Sequence, residues 1–292
     1  MEALREFHYR LPGRAGGFRP GSHPGTSFGA GQAFALHAKL FDHPDPRRVD
    51  LRASARSIPR EWLVRLNLQR VAVPVHLLID VSASMHFGTH RTKLACAAEF
   101  ASVLGFSAFR AGDRVGMLGF DDAPRDDLYL PARHGRATGD AMAAALLGCA
   151  PPARASGAGI DGLARSFERI VGDAGLVFVV SDFHWPLDGL AAALDLLVNA
   201  CVVPMVVWDR AEIEPPQSGR LLRVHDTETG ASRTLWLREK TRAQWRERVA
   251  QRRAALIHAF GQRGIRPFWV DSGINGGFDA DRLTQYFEEI AA

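Results

Sequence analysis

Asp80-Val81-Ser82-Ala83-Ser84 places one carboxylate and two hydroxyls two residues apart. In an extended segment, side chains two apart project to the same side, so three hard oxygen donors converge on one point. Such donors suit a small hard cation, Mg²⁺ or Mn²⁺, better than a soft one. The residues before the motif, Val71 to Ile79, read Val-Ala-Val-Pro-Val-His-Leu-Leu-Ile. That near-continuous apolar run is the mark of a strand covered on both faces. The motif therefore stands at the carboxyl end of a strand, where open α/β sheets bind ligands. A second strand end repeats the pattern: Gly175-Leu176-Val177-Phe178-Val179-Val180-Ser181-Asp182 brings Asp182 toward the same switch point. His184 and Trp185 follow directly, and the sequence predicts them on the rim of this site, where Trp185 either contacts a partner, as Trp favours at interfaces, or packs locally in its loop.

Other chemistries find less support. Gly25-Thr26-Ser27-Phe28-Gly29 has the letters of a nucleophile elbow. An elbow needs a strand before it, and Phe18-Arg19-Pro20-Gly21-Ser22-His23-Pro24 makes a poor one. The chain contains no Walker A sequence, and Gly29-Ala30-Gly31 lacks the third glycine of a dinucleotide loop. His8, His23, His37 and His43 fit no standard zinc spacing. Cys96, Cys149 and Cys201 form no Cys-x-x-Cys pair and lie in apolar segments, as free thiols of a reducing compartment do.

The elements that must position Asp80 and Asp182 can be read from periodicity. The chain has 292 residues, of which 47% are hydrophobic and 23% charged, a globular balance with room for one large α/β domain and an appendage. From Val71 onward strands and helices alternate, predicting a doubly wound, mostly parallel sheet. Predicted strands are 73–80, 114–120, 127–130, 176–181 and 201–208; predicted helices are 92–110, 138–149, 160–171 and 187–199. A β-hairpin insertion is predicted at about 218–238. A helix follows over 241–262, with Trp245, Val249, Leu256 and Phe260 on one face. Arg246, Arg248 and Arg253 border that stripe as a solvated edge, while Arg242 and Arg252 fall close enough for their stems to cover apolar surface. A final strand over 265–271 precedes a helix over 279–290 with Asp279 as its N-cap. Residues 1–70 read as an irregular, β-containing extension packed on the main domain of residues 71–292. The net charge of +4 permits an acidic partner without demanding nucleic acid. The clustered basic and aromatic face of a nucleic-acid binder is lacking. The opening residues lack the apolar core of a signal peptide, and the sequence predicts no membrane span and a cytoplasmic location.

Asp80-x-Ser82-x-Ser84 resembles the metal-ion-dependent adhesion site of von Willebrand factor A domains. Pro46-Arg47-Arg48-Val49-Asp50-Leu51-Arg52-Ala53-Ser54-Ala55-Arg56 resembles a segment that precedes this strand in a bacterial family of von Willebrand A-like proteins. Ser82 to Gly88 followed by Lys93, Gly112-Asp113-Arg114-Val115-Gly116, Ser181-Asp182-Phe183 and Asp226-Thr227-Glu228-Thr229-Gly230 are similar to further motifs of that family, in the same order. The similarity spans about Arg10 to Ile290. The resemblance implies partnership with a MoxR-type AAA+ ATPase. It also implies an adaptor role toward a client enzyme, or another von Willebrand A-like protein, in complex maturation or metal and cofactor insertion. The opening Arg5 to Pro12 and the Asp50-Leu51 pair look most like the branch found in methanol dehydrogenase gene clusters.

The resemblance assigns Ser82 and Ser84 as direct ligands of Mg²⁺ or Mn²⁺. Asp80 and Asp182 would hold coordinated waters, leaving an open position for a partner's carboxylate. One departure stands out. The threonine expected from the loop Ser156-Gly157-Ala158-Gly159-Ile160-Asp161 is replaced by Ile160, which cannot ligate; Thr138 and Ser156 are the substitutes to consider. The expected function is recognition without catalysis. The competing expectation is a metal-dependent hydrolase using an Asp80/Asp182 pocket.

Overall fold

The computed structural model describes residues 6–13, 20–29, 33–152, 159–173, 175–216, 221–225, 232–273 and 277–291. Its first elements are three antiparallel strands, β1 (Pro20–Gly29), β2 (Ala33–Lys39) and β3 (Leu63–Val71), in the order β1-β3-β2. β3 takes the centre because Val64, Leu66 and Val71 are buried. β1 carries two prolines and three glycines and lies at an edge, where proline costs no ladder bond; its register slips twice against β3.

Between β2 and β3 runs α1 (Leu51–Arg56), whose N-cap is Asp50. The Asp50 carboxylate accepts from Ala53 N at 3.0 Å, Arg65 Nε at 2.8 Å and His37 Nε2 at 3.1 Å. These bonds, led by that of Ala53 N, hold its carboxyl well below the usual range. Ser54 closes the turn by donating to Asp50 O and accepting from Leu63 N. The Pro46–Arg56 motif thus organises the junction between α1 and β3.

The main sheet contains β4 (Pro74–Asp80), β5 (Arg114–Phe120), β6 (Pro124–Arg133), β7 (Leu176–Ser181), β8 (Cys201–Trp208) and β11 (Phe268–Asp271). Its order is β11-β8-β7-β4-β5-β6, parallel except for β6. Renumbered within the sheet this is 3-2-1-4-5-6, a doubly wound order whose direction reverses at β4 and β7. The strand ends carrying Asp80 and Asp182 are therefore neighbours at the switch point. β5, β7 and β8 occupy the spans that their apolar runs predict. β6 is longer than expected because an edge strand with an exposed face carries polar residues and gives little hydrophobic signal.

The helices are α2 (Lys93–Ala111), α3 (Thr138–Leu147), α4 (Gly159–Ile170), α5 (Leu190–Asp195), α6 (Arg210–Ile213), α7 (Glu239–Gly261) and α8 (Ala280–Ala291). One face of the sheet packs on α2, α3 and α8, and the other on α4, α5 and α7. α2 and α3 approach closely: a Cβ on Gly105 would lie 2.2 Å from Gly139 Cα. α5 is shorter than the predicted 187–199, because Gly189 turns left-handed at φ 86° immediately before it. Asp279 caps α8, accepting from Asp281 N and Arg282 N. Strands β9 (Leu221–His225) and β10 (Ser232–Trp236) pair antiparallel; the Asp226–Gly230 motif between them lies outside the described residues.

By length and composition the 19 residues of α2 could cross a membrane, and 61% of its most apolar window is buried in the fold. Its hydrophobic residues cover the sheet.

Residues 6–13 and β1 are tied to the main sheet. The Phe7 ring sits 5.6–6.4 Å from those of Phe100, Phe178, Phe278 and Phe287. Asp113, fully buried at the entry to β5, accepts from Tyr9 Oη at 2.5 Å, His23 Nε2 at 2.7 Å and Val73 N at 2.8 Å. Asp113→Ala leaves three buried donors without their acceptor. We expect it to lower unfolding free energy by about 3–5 kcal/mol, measured by denaturant titration, and to expose residues 6–13 and 20–24 to limited proteolysis.

Candidate functional site at the strand ends

The end of β4 is buried rather than open. Asp80 and Asp182 are each 0% exposed, and Ser82 and Ser84 are under 10%. The predicted quartet does converge: Ser82 Oγ lies 3.2 Å from Ser84 Oγ, and Ser84 hydrogen-bonds to Asp182. Asp80 Oδ1 accepts from Ser82 N at 2.9 Å. Asp80 Oδ2 accepts from Ser181 Oγ at 2.6 Å and from Trp185 Nε1 at 3.2 Å. Burial and the neighbouring Asp182 charge raise the Asp80 carboxyl above its ordinary value, against the hydrogen bonds that favour ionisation.

Asp182 is held differently. The Lys93 side chain, 0% exposed, donates from Nζ to Asp182 Oδ2 at 2.6 Å and to Glu212 Oε1 at 2.7 Å. Burial alone would raise the Asp182 carboxyl; Lys93 and His184 outweigh it and bring it below the usual value. Glu212 is lowered against the same opposition by His184 and Lys93. Burial pulls the Lys93 ammonium down, but the two carboxylates more than offset it and raise its affinity for the proton.

Local backbone geometry aims these groups. Phe183 adopts φ 51°, a conformation bulky residues rarely take. Two fixed points stabilise the turn. Phe183 N donates to Ser181 Oγ at 2.8 Å, and the Arg252 guanidinium of α7 donates to the carbonyl oxygens of Phe183 and Trp185. Asp209, at the end of β8, caps α6 in a capping box, with Glu212 Oε2 accepting from Asp209 N at 2.9 Å. Asp209 also accepts from Thr89 N and Ser272 Oγ at 3.0 Å. Glu212 is thereby delivered to Lys93 by a one-turn helix.

The rim expectation divides. His184 is 41% exposed and stacks on Trp208 with ring planes 7° apart. Trp185 is 8% exposed and turned inward, which corrects its expected place on the rim. Its indole donates to Asp80 and packs on α4, where a Cβ on Gly159 would meet it at 2.4 Å. Ile160 follows at that helix start and supplies no oxygen. Thr138 opens α3 and packs toward α2; Ser156 lies outside the described residues.

Lys93, Glu212, Asp209 and Arg252 were not predicted as members of the site. Lys93 was visible only as part of a motif, and Arg252 only as an arginine whose stem could cover the apolar stripe of α7. Asp209-x-x-Glu212 carried a usable signal, since it repeats the strand-end carboxylate and has the spacing of a capping box.

Chemically, Asp182, His184 and Glu212 bring one ligand atom each within 4.8 Å of one another, a grouping suited to a divalent cation. The adhesion-type quartet fits such an ion poorly as folded. Both Asp80 oxygens are engaged by protein donors, the serine hydroxyls bond within the cluster, and an ammonium already stands against Asp182. Among the described residues, no buried side-chain nitrogen or oxygen of this cluster lacks a partner. Beside it opens a pocket of about 560 Å³ lined by His184, Trp208, Glu212, Trp245, Arg248 and Arg252 among others.

Asp182 and Glu212, lowered from ordinary values of 3.8 and 4.5, contribute stability that is complete above those values and is lost as pH falls through their folded-state ones. The raised Asp80 works in the opposite sense. Denaturant midpoints should therefore fall below about pH 4.5, and the fall should be steeper in Asp80→Asn, which removes the opposing group.

Residues 43–255 match the family described as "Protein of unknown function DUF58". No curated protein matches the chain in sequence. Among solved structures, a conserved hypothetical protein BatB from Bacteroides thetaiotaomicron is similar at 16% identity and a TM-score of 0.46. That match covers 75% of this chain and 99% of the other. An aerotolerance-related membrane protein from Bacteroides fragilis, carrying multiple mutations to serine, gives 17%, 0.44, 75% and 98%. Proximal thread matrix protein 1 from the mussel byssus, with a zinc-occupied MIDAS motif, gives 12%, 0.40, 76% and 47%. At this level of similarity, what those proteins bind says nothing about this chain.

Proposed function

The chain belongs to the DUF58 family, and we propose that it is a non-enzymatic von Willebrand A-like interaction module that engages partners at the carboxyl edge of its main sheet. The observation carrying this reading is the pocket beside the strand-end cluster. Trp208 and Trp245 give it an apolar wall, and Arg248 and Arg252 bring two guanidinium groups to its border, while the Glu212 carboxylate that also lines it is paired with Lys93. Aromatic and arginine side chains around a concave surface are what protein interfaces use as anchors. The cluster behind it supports the same reading. Its hydroxyls and carboxylates are bound to one another, which suits a rigid platform better than a nucleophile poised to react.

The partner that fits presents a carboxylate beside an apolar side chain. On the resemblance drawn from the sequence motifs, that partner is a MoxR-type AAA+ ATPase in the cytoplasm. The module then bridges the ATPase to a client enzyme during complex maturation or metal and cofactor insertion, with methanol dehydrogenase as the candidate client.

Affinity capture from the native host, in Mg²⁺ and in EDTA, with identification by mass spectrometry, tests the partner. Recovery of an AAA+ ATPase by the wild-type chain, and its loss with Trp245→Ala/Arg248→Glu, is the expected outcome. Arg248 is exposed, whereas Trp245 Nε1 donates to Glu212 O at 2.7 Å, so the melting temperature should fall by a few degrees, corresponding to about 1–2 kcal/mol, with the fold retained by circular dichroism. Capture of the ATPase undiminished by the double substitution would move the docking surface elsewhere. Metal-dependent turnover of ester or phosphoester substrates would overturn the non-enzymatic reading.

A further inference from the structure

Lys93 stands in a place that local preference disfavours. It is the first residue of α2, where the helix dipole is unfavourable to a positive charge. Its side chain is completely buried, where an ammonium is tolerated only with compensating partners. Two carboxylates from distant parts of the chain supply them, Asp182 from the end of β7 and Glu212 from α6. The Phe87 ring approaches Nζ to 5.8 Å, and Thr92 fixes the helix start by accepting from Ala95 N. A residue that breaks a local rule while meeting every tertiary requirement is serving the site.

The same two carboxylates are two of the three groups that converge within 4.8 Å as a potential metal set, and Asp182 also belongs to the adhesion-type quartet. A divalent ion drawing on either set must share Asp182 with an ammonium already at hydrogen-bonding distance. We propose that the Lys93 ammonium is the resident cation of the strand-end site and that it competes with divalent metal ions for Asp182 and Glu212. The site then keeps its geometry without a metal, and a metal gains the carboxylates only when the lysine is withdrawn or removed. This concerns the ion at the site and stands whichever partner docks beside it.

Mn²⁺ binding to the full chain, followed by electron paramagnetic resonance of the free ion, tests the proposal directly. Lys93→Ala should bind one Mn²⁺ about 10–100-fold more tightly than wild type, the scale on which one neighbouring charge shifts a carboxylate's affinity for a cation. Its melting temperature should rise with Mn²⁺ while that of wild type stays level. Lys93→Ala/Asp182→Asn should lose the gain, which assigns it to this site. Equal Mn²⁺ affinity in wild type and Lys93→Ala, or weaker binding by Lys93→Ala, would overturn the proposal. Should Lys93→Ala fail to fold in metal-free buffer, circular dichroism on adding Mn²⁺ decides. Refolding in Mn²⁺ but not in an equal concentration of Na⁺ supports competition for one cation position, and failure to refold in Mn²⁺ counts against it.

Discussion

An ammonium removed from water must be matched by negative charge and hydrogen-bond acceptors, and Lys93 finds both in Asp182 and Glu212. Much of the carboxyl edge of the sheet follows from that requirement. Asp182 reaches the lysine because the chain turns left-handed at Phe183. That turn is held from outside by Arg252, which draws α7 against the end of β7. Glu212 reaches it because Asp209 starts a one-turn helix directly after β8. The groove between α7 and the strand ends, with Trp208 and Trp245 on its wall, is the space these constraints leave open.

The two carboxylates of the switch point show how environment divides like groups. Asp80 accepts only from neutral donors, and burial favours its proton. Asp182 faces the cation and gives its proton up more readily. Trp185 belongs to the Asp80 side of this division. Its indole donates to Asp80 Oδ2 and packs on Gly159.

The amino edge of the sheet obeys the same rule with different residues. Asp113 gathers Tyr9, His23 and Val73 N, joining the first residues and β1 to the entry of β5. Asp50 does so for α1 and β3 through Ala53, Arg65 and His37. Between the two edges the sheet is apolar on both faces, so polar contacts that choose one arrangement of segments are concentrated at strand ends.

Periodicity and end residues revealed much of this architecture without coordinates. A strand covered on both sides must be apolar throughout, so β5, β7 and β8 could be read to the residue, and the alternation with helices implied the doubly wound sheet. Asp80, Ser82, Ser84 and Asp182 were legible as a group because spacing and strand-end position are local properties of sequence. Lys93, Glu212 and Arg252 were not, because nothing in a helix-start lysine or an arginine beside an apolar stripe says which carboxylate or carbonyl lies across the fold. Trp185 was misplaced for the same reason: whether an aromatic residue after a strand turns outward or inward depends on Gly159 leaving room for it. The sequence by itself determined the elements, the sheet and the presence of carboxylates at its switch point. Only the tertiary structure decided which charges meet, because the partners of a buried ion are chosen by distance in space and by the exclusion of water, and neither is written in the order of residues.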